Sequence, residues 1–150
     1  MASRWVLRGV VGLLLVLAVE LRADTNALIV YKTASCNCCA GWVDYMKASG
    51  FQVTVHDVES TAEYRHKYGI PEAQQSCHTA FIGGYAIEGH VPANEVRRLL
   101  REKPKAAGLA VPGMIVGTPG MEQGPRHDPY AVLLVGPGSH VNTYQKYAGN

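Results

Sequence analysis

The chain has 150 residues, 47% of them hydrophobic and 17% charged, which is enough apolar material for one buried core and too much for a disordered chain. A formal charge of +2 without a basic stripe excludes the electrostatic footprint of a nucleic-acid-binding protein. No Walker loop, dinucleotide fingerprint, Ser–His–Asp order or paired-carboxylate motif is present, so nucleotide and hydrolase roles have no support.

In chain order, residues 1–23 read first as a secretory signal. Arg4 and Arg8 precede the apolar run "GVVGLLLVLAV" at 9–19, and Ala23 offers a small residue for cleavage, although Leu21 stands at −3 where a small residue is usual. The run is short of the about 20 apolar residues that a membrane span needs, so export followed by cleavage is expected, with an uncleaved anchor as the alternative. Three arginines and one glutamate lie in that segment, so 14 basic and 12 acidic residues become 11 and 11, and the mature chain is formally neutral.

"ALIVYKT" at 27–33 has the β-branched, apolar character of a buried strand. Ser35 is placed to cap a helix whose first turn holds cysteines, with Trp42, Val43 and Met46 at helical spacing and Gly50 as its stop. "FQVTVHDV" at 51–58 alternates with period two. Ser60 and Glu63 form a capping-box pattern for a second helix that runs to the "YGIP" at 68–71. "TAFIGGYAIEG" at 79–89 predicts a hairpin turning at Gly83-Gly84. "PANEVRRLLREKP" at 92–104 predicts a helix that ends before Pro104. The Gly/Pro-rich stretch 108–129 is expected as loop, followed by strands at 130–136 and 141–147. This order, with Cys-x-x-Cys just after the first strand, predicts a thioredoxin-like α/β domain over 27–147. It would have a central mixed sheet, helices on both faces and a Gly/Pro-rich C-terminal extension ending in strands.

Chemistry concentrates in "SCNCCAG" at 35–41 and "SCHTA" at 76–80, which hold all four cysteines: Cys36, Cys38, Cys39 and Cys77. Cys36 and Cys39 have the spacing of a redox pair, and a helix N-terminus favours their thiolates. Cys38 complicates that role, because it lies between the pair and can trap either partner. In a thioredoxin-like fold the turn into the third strand faces the first cysteines and normally carries a cis-proline. Here His78 takes that place and Cys77 precedes it, so the four sulfurs are expected to converge. Dense thiolates select soft ions, Cu(I) before Zn(II), and the adjacent Cys38 and Cys39 are suited to bridging two ions. Metal binding, thiol redox chemistry and plain disulfides all remain open at this level.

"VYKTASCNCC", "VHDV", "SCHTAFIGGYAIEGHVP" and "GLAVPGMIVGTPGME" together resemble the CopG-like family of exported bacterial proteins that accompany copper-resistance systems. The resemblance spans about residues 27–147. It implies a thioredoxin-like, periplasmic protein with Cys36, Cys38, Cys39 and Cys77 as copper ligands. Its implied partners are copper ions and other copper-resistance proteins, with no nucleic acid and no stable membrane insertion after cleavage. The implied function is sequestration or transfer of Cu(I), with a thiol-disulfide oxidoreductase or copper-site redox enzyme as the alternative. The chain departs from the family at Asn37, where Gly is common, and at Ile115, where Pro is common.

Among lesser candidates, Met114 and Met121 sit in a Gly/Pro loop, and packing outweighs a thioether-ligand role for both. His78, beside Cys77, is a candidate ligand or hydrogen-bond donor. His90 is read as a structural hydrogen-bonding residue, Trp42 and Tyr45 as packing, and His56, His66, His127 and His140 as scattered.

Overall fold

The computed structural model describes residues 26–150, so the signal segment expected at 1–23 lies outside the described residues. Strand β1 (Ala27–Lys32) buries Leu28 and Val30 on one face and turns Ile29 and Tyr31 to the other, the alternation its sequence implies. Helix α1 (Asn37–Ala48) buries Cys39, Trp42, Val43 and Met46, an i, i+3, i+4, i+7 stripe. Its N-cap is Cys36 rather than the expected Ser35, and no side chain caps it. The free N–H groups of the first turn are therefore left at the cysteines.

Strand β2 (Gln52–Asp57) follows, then the short helix α2 (Ala62–Lys67). In place of the expected capping box, Ser60 Oγ accepts from the Ala62 N–H at 3.2 Å. A 3-10 turn at Glu72–Gln74 leads to β3 (His78–Ile82), which turns at Gly83-Gly84 into β4 (Tyr85–Glu88). Helix α3 (Ala93–Glu102) stops at Lys103, which adopts a left-handed conformation before Pro104.

The stretch expected as loop from 108 begins instead with a strand, β5 (Gly108–Ala110), parallel to β4. Three residues are too few to show a period. Gly108 is required here, because a Cβ would overlap the Ala86 carbonyl on the neighbouring strand. β5 connects the first half of the sheet to β6 (Tyr130–Val135) and β7 (Val141–Tyr147), the two C-terminal strands the sequence predicts.

The sheet of the described residues has seven strands in the order β2-β1-β3-β4-β5-β6-β7 and is mixed, as expected. β1–β2 and β4–β5 are parallel and the other pairs antiparallel. α1 and α3 share one face, where Trp42, Met46, Val96 and Leu99 pack with Leu28, Val30, Ile82 and Ile87. α2 lies on the other face, with Tyr64 stacked on Tyr31 at 3.8 Å between ring centroids. No helix among the described residues is long and apolar enough to cross a membrane.

Candidate metal centre

Lys32 at the end of β1 pairs with His78 at the start of β3. The turn that follows β1 and the residue that precedes β3 therefore meet at one end of the sheet, where α1 also begins. This register brings Cys77 to Cys36, Cys38 and Cys39 across 38 residues of chain from Cys39. The four sulfurs lie within 4.8 Å of one another. Cys36 Sγ is 3.5 Å from Cys38 Sγ, and Cys39 Sγ lies 3.5 Å from the Cys77 carbonyl oxygen. Cys36 and Cys39 are joined as a disulfide, leaving Cys38 and Cys77 free. The predicted convergence of all four cysteines is thus present, and so is the redox pairing their spacing allowed. Cys39 is fully buried and the other three are half-buried.

A second group shares Cys77. Its sulfur is 3.0 Å from His90 Nε2 and 3.5 Å from His78 Nδ1, and the three residues offer ligand atoms within 4.8 Å of one another. His90, read from sequence as structural, therefore stands at the centre itself. One signal could have revealed it. The hairpin pairs Thr79 with Glu88, and Gly89 N–H donates to the His78 carbonyl, so one further step sets Cys77 opposite His90.

Electrostatics favour neutral groups here. Burial, and then the neighbouring Cys38, push the Cys77 thiol up to about 12, so it keeps its proton until a metal displaces it. Burial pulls His78 well below the ordinary imidazole value, with His90 adding to the effect, and burial lowers His90 as well. Both rings are therefore uncharged near pH 7, the form that coordinates metal.

Three supports hold the group. Buried Glu88 accepts from the Ser76 N–H at 2.7 Å and from Thr79 Oγ1 at 2.6 Å, with the Arg65 guanidinium 3.6 Å away, and so fixes the residue before Cys77. Trp42 packs its ring on His78 at 4.4 Å between centroids and donates its indole N–H to the Val91 carbonyl at 2.9 Å. The loop after β5 lies against α1, where Gly120 has φ +81 and a Cβ on it would overlap the Trp42 backbone nitrogen. That close approach carries the Pro119 carbonyl to 2.7 Å from His90 Nδ1.

The remaining candidates lie at varied distances from this chemistry. Met114 is 58% exposed, next to Gly113, whose carbonyl accepts from Ser76 Oγ at 2.6 Å. Met121 sits within the loop, its N–H donating to Thr118. Ile115, at the family's usual proline position, packs against the main core. His56 is exposed and stacked on Tyr31, and His127 is exposed beside Gly117.

No curated protein matches the sequence. The family profile DUF411, described as a protein of unknown function, matches residues 74–121, which include Cys77, His78, His90 and the loop to Met121. A solved structure titled "Copper resistance protein copG- Form 2" is 40% identical, with a TM-score of 0.77 over 81% of this chain and 97% of that one. A second, "Copper resistance protein copG- Form 1", is 39% identical, with a TM-score of 0.80 over 84% of this chain and 100% of that one. With that identity along nearly the whole length of both solved chains, and with the DUF411 match over the second cysteine segment, this chain belongs to the CopG-like family of copper resistance proteins.

Proposed function

We propose that the protein binds copper as Cu(I) through Cys36, Cys38, Cys39 and Cys77, and that it sequesters the ion or hands it on in copper resistance. The observation that carries this reading is the gathering of four sulfurs within 4.8 Å at one end of the sheet. Thiolates at that density are soft donors, which suit Cu(I) first and Zn(II) second. Cys38 and Cys39 are chain neighbours that clasp a single ion poorly, so they act as bridges in a multinuclear thiolate cluster. The cluster belongs to the reduced protein, in which the Cys36–Cys39 bond is open. The names of the two solved relatives support copper over zinc.

A second reading, a thiol-disulfide oxidoreductase or a copper-site redox enzyme, draws on the Cys36–Cys39 bond at the start of α1. The order β1-α1-β2-α2-β3-β4-α3 around strands β2-β1-β3-β4 supports a thioredoxin-like fold, in which such chemistry is familiar. His78 at the start of β3, in place of the usual proline, weighs against an ordinary reductase groove.

Anaerobic Cu(I) titration against a competing chelator, run beside an insulin-reduction assay, separates the two. A dithiol reductase needs only Cys36 and Cys39, so Cys38→Ser leaves it intact. A cluster loses a bridge, and we expect Cys38→Ser to lose bound copper or about tenfold in affinity, since Ser is a poor soft-metal ligand. Unchanged copper binding with strong reductase activity in both proteins would reverse the assignment.

We also propose that the chain is exported to the periplasm and loses about its first 23 residues, with no lasting membrane insertion. The motivating feature is the pairing of Arg4 and Arg8 with the apolar run at 9–19. N-terminal sequencing of the protein from a cell-envelope fraction is expected to begin near Asp24. Intact Met1 in the cytosol would contradict export.

A further inference from the structure

At the end of the sheet away from the cysteines, the Gly83-Gly84 turn and the start of β1 lie beside the C-terminal half of α3. Between them is a cavity of about 620 Å³, lined by Gly83, Tyr85, Leu100, Arg97, Arg101 and Lys103 and reaching Asn26. That volume is in the range of small-molecule sites. Three cationic side chains line it, and no carboxylate does.

We propose that this cavity binds a small phosphate-bearing ligand with an apolar body, the phosphate held by Arg97, Arg101 and Lys103 and the body lying on Tyr85 and Leu100. The site is independent of the copper reading, because Asn26 and Cys36 lie beyond opposite ends of β1.

The fold does not use up these charges. No carboxylate of the described residues forms an ion pair with Arg97, Arg101 or Lys103. Glu102, their neighbour on α3, is taken by Arg98 Nε at 2.8 Å and by the Tyr144 hydroxyl at 2.8 Å. Arg97 and Arg101 stand one helical turn apart, a like-charge spacing that weakens a helix. A cation in the last turn complements the helix dipole, which accounts for Arg101. The dipole's effect fades beyond that turn and does not account for Arg97.

The walls are also held in place. Arg97 donates from one guanidinium nitrogen to the Ser49 carbonyl, and its guanidinium lies 5.1 Å from the centre of the Phe51 ring. The rest of its donor fork is left for an oxyanion. Lys103 ends α3 in a left-handed conformation, φ 48, where glycine is usual and a side chain is disfavoured. A lysine kept there sets a charge on the cavity wall at a conformational cost, which is a mark of functional sites. Gly83 keeps the opposite wall open, since at φ +56 a Cβ would come 2.6 Å from Leu100 Cδ2. The Tyr85 hydroxyl donates to the Pro104 carbonyl at 2.9 Å, which fixes the ring as an apolar surface.

Three cations suit a group with about two charges. A phosphate monoester carries roughly −1.5 to −2 near neutral pH and presents three acceptor oxygens, where a single carboxylate has one charge and two oxygens.

Phenyl phosphate is the probe, titrated by calorimetry into the mature chain at low salt, with benzyl alcohol as the uncharged control. We expect saturable binding of one equivalent of phenyl phosphate and none of benzyl alcohol. Arg101→Gln and Lys103→Gly are each expected to weaken binding about tenfold. Lys103→Gly removes the charge while supplying the residue that the left-handed backbone prefers, so its loss of binding does not come from misfolding. Sedimentation with vesicles containing phosphatidylglycerol separates the two sources of phosphate. Uptake by vesicles that Lys103→Gly abolishes, without binding of phenyl phosphate, would assign the phosphate to a lipid headgroup. Absence of saturable binding to both probes would overturn the proposal, as would binding that neither variant alters.

Discussion

Cys77→Ser is expected to lower the copper affinity of the reduced protein on the order of 100-fold. Cys77 is the residue the two ligand groups share: its sulfur lies among those of Cys36, Cys38 and Cys39, and also against His78 and His90. No other cysteine can substitute, because the chain has four in all and the remaining three are held at the N-terminus of α1. The fold should survive, since the side chain is only half-buried and Ser76, rather than Cys77, takes the Glu88 and Gly113 hydrogen bonds. Chelator competition on the reduced protein measures the loss, with circular dichroism as the control for folding. A Cys77→Ser protein that retains wild-type copper affinity would confine the site to residues 36–39.

Trp42→Ala is expected to cost about 3–5 kcal/mol of stability, the range for deleting a large buried aromatic. Trp42 is fully buried in the main core and donates its indole N–H to Val91, so the change leaves both a cavity and an unmet carbonyl. Urea unfolding of the metal-free chain reads it as a lower midpoint at unchanged slope. The thermal midpoint should fall by roughly 10 °C or more. A second effect belongs to the site: His78 loses the ring it packs on, and the Val91 anchor next to His90 is released. Metal affinity should then fall even in the fraction that remains folded. A loss under about 1 kcal/mol would show that the neighbouring helices close over the gap.

The parts of this protein that could be read without coordinates are those governed by short-range periodicity. Leu28 and Val30 alternate because successive strand side chains face opposite ways, and Cys39, Trp42, Val43 and Met46 line up because a helix repeats every 3.6 residues. The order of these elements, with Gly83-Gly84 as a turn, was enough to foresee a mixed sheet and the meeting of Cys77 with the first three cysteines. A three-residue strand such as β5 has no period to read. It exists because β4 and β6 present backbone groups on either side and because Gly108 leaves room for Ala86. The centre's second half was hidden for the same reason. His90 gains its meaning from a register carried past the end of the hairpin, and from a loop that returns some 30 residues later to set Gly120 on α1 and the Pro119 carbonyl on Nδ1. Such contacts depend on which backbones can approach closely in three dimensions, and residue types along the chain record that only as an occasional glycine.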